Sequence, residues 1–117
     1  MRKKAFRLSA DRIRELVPDR GCCFATDHLT VDGKPVGYMY REEPDRSTEY
    51  VDSGWRFFSG EETQGYVDDP DNTMIYDVNT IANYDPAIID YLDLPFGTQL
   101  ERVPGTNEFQ EVKSDTA

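Results

Sequence analysis

The stretch Asp52-Ser53-Gly54-Trp55-Arg56-Phe57-Phe58-Ser59-Gly60 sets a short aromatic run between polar and glycine positions. This run, bounded by serine and glycine, reads as a strand buried on at least one face. Period-two geometry sends Trp55 and Phe57 to one side, Arg56 and Phe58 to the other. A second alternation sets Val36, Tyr38 and Tyr40 against Gly37, Met39 and Arg41. It predicts a hairpin over Leu29 to Arg41, turned at Asp32-Gly33, where glycine supplies the positive φ. Cys22 to Thr26 is a further short strand. Glu42 to Tyr50, with Pro44 and many charges, is an exposed loop from which the Trp55 strand returns beside the hairpin.

Helical spacing occurs only in short pieces. Ile13, Leu16 and Val17 form an i, i+3, i+4 stripe, predicting a helix capped by Ser9, with Asp11 in its first turn and Pro18 as its stop. Gly60-Glu61-Glu62 opens a helical turn that reaches about Tyr66, and Asp68-Asp69-Pro70-Asp71-Asn72 is a loop by composition. Met74-Ile75-Tyr76 reads as a short buried segment and Asp77 to Ala82 as a helical turn. Asp85 as N-cap and Pro86 at N1 start a helix over residues 87–92 that ends before Pro95. Thr98 to Val103 and Glu108 to Val112 are strands joined by a turn at Pro104-Gly105-Thr106-Asn107, and Lys113 to Ala117 is a frayed tail. Five or six short strands, mostly hairpin-connected, with two or three short helices give an α+β class with an antiparallel sheet.

Composition narrows this picture. The 117 residues suit a single domain over 1–117, and 38% hydrophobic residues with many aromatics imply a small core built of large rings. Cys22 and Cys23 are adjacent and point to opposite faces of a strand, so a disulfide between them is strained. They read as apolar packing groups in a reducing compartment. No apolar run approaches the roughly 20 residues of a membrane span. The basic start Met1-Arg2-Lys3-Lys4 is followed by Arg7, Asp11, Arg12 and Arg14 rather than an apolar signal segment. The expected location is the cytoplasm.

Charge changes the picture more. The net charge of −10 comes from one block: residues 57–101 hold ten carboxylates and no Lys or Arg. Turn formation and helix capping explain some of these acids, Asp69 and Asp85 among them. Gathered by the fold, the block produces a potential that repels nucleic acid and membrane and draws in a basic protein. Arg56, the last basic residue before the block, pairs within the fold with Asp52 or Asp77 or orients a loop.

Catalytic patterns are sparse. His28, the only histidine, reads as a turn residue at a strand start, and a Cys22 or Cys23 nucleophile with His28 as base has no local signature. Ser53 lacks a nucleophile elbow. Asp69-Pro70-Asp71-Asn72-Thr73 resembles a calcium loop but has Met74 and Thr80 where glycine and glutamate are needed. Two cysteines with one histidine do not make a structural zinc site, and the glycines form no phosphate-binding series. Met39 and the tyrosines read as core and sheet face. No cofactor is expected.

Four stretches together resemble a known bacterial family: Cys23-Phe24-Ala25-Thr26-Asp27, the run from Val31 to Arg41, Asp52 to Gly60, and Ile75 to Pro86. The family is the domain of unknown function also described as immunity-protein-33-like (Imm33-like). The resemblance spans roughly residues 20–103, in order, and "DSGWRFFSG" and "VGYMYRE" are its most telling blocks. It implies a bacterial protein that neutralises a toxin by binding it, and it carries no catalytic residues.

The leading expectation is a non-enzymatic protein whose acidic face docks a basic toxin domain. That face draws on Glu61, Glu62, Asp68, Asp69, Asp71, Asp77, Asp90 and Asp93, with Trp55 and Phe58 as aromatic anchors where exposed. For Trp55, core packing is the competing reading. Two alternatives stand beside this: a small hydrolase-like enzyme using a carboxylate cluster, with a divalent cation on Asp68, Asp69 and Asp71, and a free-standing homodimer formed through a sheet edge.

Overall fold

The computed structural model describes residues 4–112. One six-stranded sheet organises them, built from β1 (Cys22–Thr26), β2 (Tyr38–Arg41), β3 (Asp52–Phe58), β4 (Thr73–Asp77), β5 (Gln99–Arg102) and β6 (Phe109–Glu111). The order across the sheet is β4-β1-β3-β2-β5-β6. All neighbours pair antiparallel except β1 and β3, which run parallel. The sheet is therefore mixed rather than purely antiparallel, because the chain crosses over between β1 and β3 instead of turning back. The α+β class holds.

Three short α-helices accompany the sheet: α1 (Asp27–Thr30), α2 (Gln64–Asp68) and α3 (Val78–Tyr84). The segments Ala10–Arg12, Pro70–Asn72 and Pro86–Tyr91 are 3-10 turns. Asp85 caps as expected, accepting from the Ala87 N–H, and Asp77, where the sequence predicts the start of a helical turn, caps α3 by accepting from the Asn79 N–H. Helix α2 begins slightly later than predicted, at a Thr63 cap.

The core lies on one side of the sheet. Cys23, Ala25, Met39, Trp55, Phe57 and Leu100 point there and meet Leu29 of α1, Val78 and Ile81 of α3, and Ile88. Each fully buried large side chain contributes about 1.5–3 kcal/mol. Trp55 is 1% exposed, and its indole N–H donates to the Leu92 carbonyl at 3.1 Å. It is a core residue, and the alternation that split Trp55 and Phe57 from Arg56 and Phe58 describes β3 correctly.

Three local expectations are overturned. The hairpin over Leu29 to Arg41 does not form. The Val31 and Asp32 amides donate back to the Asp27 carbonyl at 2.9 and 3.0 Å, so Asp32-Gly33 closes a helical turn instead. Gly33, at φ +73°, serves a helix end as readily as a hairpin, and the sequence alone does not separate the two uses. The helix predicted from Ser9 to Pro18 reduces to one 3-10 turn. Ser9 donates to the Asp11 carboxylate rather than capping, and the amides of Arg14, Leu16 and Val17 bond the side chains of Asn83 and Asn79 on α3. Met74-Ile75-Tyr76 is an edge strand rather than a buried segment, with Met74 and Ile75 largely exposed.

The tail expected over Lys113 to Ala117 lies outside the described residues, as do Met1 to Lys3. Among the described residues, no helix is long and apolar enough to cross a membrane.

Candidate functional site: the open face of the sheet

Helices α1 and α3 and the Pro86–Tyr91 turn all pack on the Trp55 side. Among the described residues no helix is packed across the opposite face, which Val67 of α2 borders at one end. Side chains directly opposite one another in register share a face, so one row reads Ile75, Phe24, Arg56, Tyr40, Gln99. The next reads Phe58, Tyr38, Glu101, Gln110. Tyr38, Tyr40 and Phe58 form a half-buried aromatic cluster with centroids 5.8–5.9 Å apart, and Tyr40 stacks on Phe58 at 12°. Burial pushes the Tyr38 and Tyr40 hydroxyls up, and for Tyr40 the neighbouring Glu42 adds to it. Both hydroxyls stay neutral at physiological pH.

Arg56 anchors the centre of this face. It is 4% exposed, lies over the Phe24 ring at 4.2 Å, and donates twice to Asp52 at 2.9 and 2.8 Å. Its Nε donates to Glu42 at 2.6 Å. Those Arg56 bonds hold the Asp52 carboxyl far below the usual carboxylate range, against the opposing effect of burial. Burial works against the Arg56 charge, yet its two carboxylate partners raise its pKa overall. The expected internal pairing of Arg56 is thus found, with Asp52 and Glu42 rather than Asp77. Gly54 makes it possible: at φ +88° its Cα passes so close to the Glu42 carbonyl that an added Cβ would lie 2.2 Å away.

The acidic block is not gathered into one face. Glu61, Asp68, Asp69 and Asp71 stand at the end of the sheet where β1 and β3 finish. Glu101 on β5 is at the same end, but β1, β3 and β2 lie between it and β4, and of these four acids it shares a groove with Glu61 only. Asp77 lies at the other end, opposite Cys22. Asp93 pairs with Arg20 just before β1, and Asp90 is exposed on the descending 3-10 turn. Asp85 is taken by Arg102 and by the Val36 amide. A groove of about 580 Å³ joins the acidic end to the aromatic face, with Tyr38, Phe58, Glu61, Glu62, Val67 and Glu101 among its lining residues.

Glu62 is not a surface group. Its side chain is 3% exposed and accepts from Thr26 Oγ1 at 2.6 Å, the Ser59 N–H at 2.8 Å and the Gly60 N–H at 3.0 Å. Burial disfavours its charge, but these donors outweigh it and hold the carboxyl below its ordinary value. His28 Nδ1 lies 2.7 Å from Ser59 Oγ and 3.6 Å from the same Glu62 carboxylate. Ser, His and Glu meet here without forming a relay. A relay needs the hydroxyl and the carboxylate on different ring nitrogens, whereas both face Nδ1. Ser59 Oγ also accepts from the Glu61 N–H at 3.0 Å, so the cluster locks the turn between β3 and α2. No sequence spacing announced it, because its members come from three elements.

The proposed cation site is not assembled. Among the described residues no group of three His, Cys, Asp or Glu is placed to hold a metal ion. Asp68 accepts from Gln64, and Asp69 accepts from the Asp71 N–H.

The model of the immunity protein Imm33 domain matches residues 23–113. The chain belongs to that family. The match begins inside β1 and includes β2 to β6, so the open face and the groove lie within it. No curated protein and no solved structure matches the chain.

Proposed function

We propose that this Imm33-family chain acts by binding rather than by chemistry, neutralising a basic toxin domain that docks on the open sheet face. One observation carries the reading: a Tyr38–Tyr40–Phe58 cluster on an uncovered face, bordered by Glu42, Glu61 and Glu101. Aromatic centres with polar rims are the usual anatomy of specific protein interfaces. The rim holds Glu42, which is paired with Arg56, together with Glu61, 3.5 Å from Lys34, and Glu101, while Arg102 in the groove is paired with Asp85. These carboxylates suit a basic partner that competes for them, and they speed its approach. In this reading Phe58 is one of the anchors. Trp55 gives way to Tyr38 and Tyr40, and of the acids, Glu61 and Glu101 stand nearest the rings.

The test is affinity capture from a lysate of the source organism at low and high salt, using wild type and a Glu61→Lys/Glu101→Lys variant. The reading expects a basic protein that wild type retains at low salt, that salt releases, and that the variant fails to hold. Equal retention by both, or retention indifferent to salt, overturns it.

A further inference from the structure

The two edges of the sheet differ. β6 is blunted by length, with only Phe109–Glu111 in the ladder. β4 is a five-residue strand without proline, lysine or bulge, and it pairs with β1 along its whole length. The Val78 N–H donates to the Gly21 carbonyl at 2.9 Å, on the β1 side. Alternation then turns Met74 and Tyr76 toward β1, and directs the backbone groups of Thr73, Ile75 and Asp77 outward. The Thr73 N–H is already used, donating to the Pro70 carbonyl, whereas among the described residues no backbone hydrogen bond engages the outward amides of Ile75 and Asp77. Ile75, 45% exposed, and Met74, 39% exposed, flank this open row. Such an edge is a template for another strand.

Charge decides which strand. Asp69 and Asp71 stand immediately before β4, and Asp77 closes it. Two copies pairing antiparallel about a two-fold axis at Met74 would set Asp71 of one opposite Asp77 of the other, at both ends of the new ladder. Like charges across a ladder are destabilising. A strand with an apolar centre and basic ends meets the opposite situation: Ile75 faces its middle and carboxylates face both its ends.

We infer that β4 is a strand-addition site that receives an extended partner segment with an apolar centre flanked by Lys or Arg. The site extends the protein-binding reading to a second surface and rests on that reading for the class of partner. Main-chain bonds supply the attachment, and the flanking acids supply the selection.

The probe is a synthetic peptide alternating Val and Thr between paired lysines, added to the isotope-labelled full chain while amide exchange is followed by NMR. The expected result is new protection of the Ile75 and Asp77 amides. An otherwise identical peptide with glutamates at its ends should bind at least about tenfold more weakly. Ile75→Pro removes the outward N–H at a position where edge strands tolerate proline, and should abolish the protection. Ile75→Lys keeps that N–H and offers a second variant should the proline disturb folding; it repels the lysine ends and should weaken binding. Unchanged exchange at β4 overturns the inference, as does equal binding of the two peptides. Protection without peptide, accompanied by a dimeric mass, also overturns it, because the occupant is then a second copy. If β4 stays open while a basic protein still depends on Tyr38 and Phe58, strand addition fails and docking on the open face stands. If β4 takes the peptide and no protein depends on those rings, the failure is the reverse.

Discussion

Replacing Asp52 by Asn should remove much of the stability of this chain. Asp52 is the main partner of a guanidinium that is 4% exposed, with two bonds of 2.9 and 2.8 Å from Arg56. It also accepts from the N–H groups of Asp45 at 2.9 Å and Gly54 at 3.0 Å. Asparagine keeps one acceptor, turns an amide NH2 toward the guanidinium, and leaves Arg56 to Glu42, whose side chain is 50% exposed. Breaking one partner of a buried ion pair costs about 3–5 kcal/mol. Against a total of roughly 5–15 kcal/mol for a domain, that leaves a marginal fold and lowers Tm by roughly 10–25 °C. Urea unfolding followed by the fluorescence of Trp55, the only tryptophan and buried in the core, measures it directly. Glu42→Gln, on the solvent side of the same network, should cost under about 1 kcal/mol.

The pH dependence follows from the same pair. The folded Asp52 carboxyl titrates far below its unfolded value of about 3.9, so its contribution is complete above pH of about 4. As pH falls further, wild type loses this contribution at roughly 1.4 kcal/mol per pH unit while Asp52→Asn does not, and the two curves converge. A variant within about 1 kcal/mol of wild type at pH 7, or a difference that does not shrink in acid, refutes the account of the buried pair.

Three further outcomes are expected. Glu62→Ala leaves the Ser59 N–H and the Thr26 hydroxyl without their acceptor and should cost about 2–3 kcal/mol, read as a shift in urea midpoint at neutral pH. Gly54→Ala forces a Cβ to 2.2 Å from the Glu42 carbonyl at a φ of +88°; a loss of about 3 kcal/mol or more is expected by thermal melting. Burial pushes both cysteine thiols up, Cys23 the more strongly. A thiol reagent should therefore label the half-buried Cys22 slowly in the native state and Cys23 only on unfolding, with mass spectrometry resolving the two.

What the sequence displayed was local and periodic. Trp55 and Phe57 against Arg56 and Phe58, the β5–β6 hairpin, and the cap at Asp85 all follow from spacings of two to four residues. The misread segments depended on partners far along the chain. Leu16 and Val17 have helical spacing, but Asn79 binds their amides before a helix can. Asp32-Gly33 has hairpin chemistry, yet the Asp27 carbonyl captures the turn. The charge block was visible as composition, whereas its division between the two ends of the sheet came from the antiparallel course of β1 and β4. The tyrosines of β2 could be assigned to a sheet face by alternation. That this face is the uncovered one became evident only once α1, α3 and the Pro86–Tyr91 turn were seen on the other side.

In the proposed binding mode the aromatic cluster of the open face is the docking surface. The most direct test takes the basic protein captured by wild type and measures its Kd by calorimetry against Tyr38→Ala, Phe58→Ala and Val51→Ala. Val51 is 77% exposed in the loop before β3 and serves as the off-face control. Binding at least about thirtyfold weaker, near 2 kcal/mol, is expected for each ring variant, with no change for Val51→Ala. Ring variants that remain folded and bind as tightly as wild type contradict it.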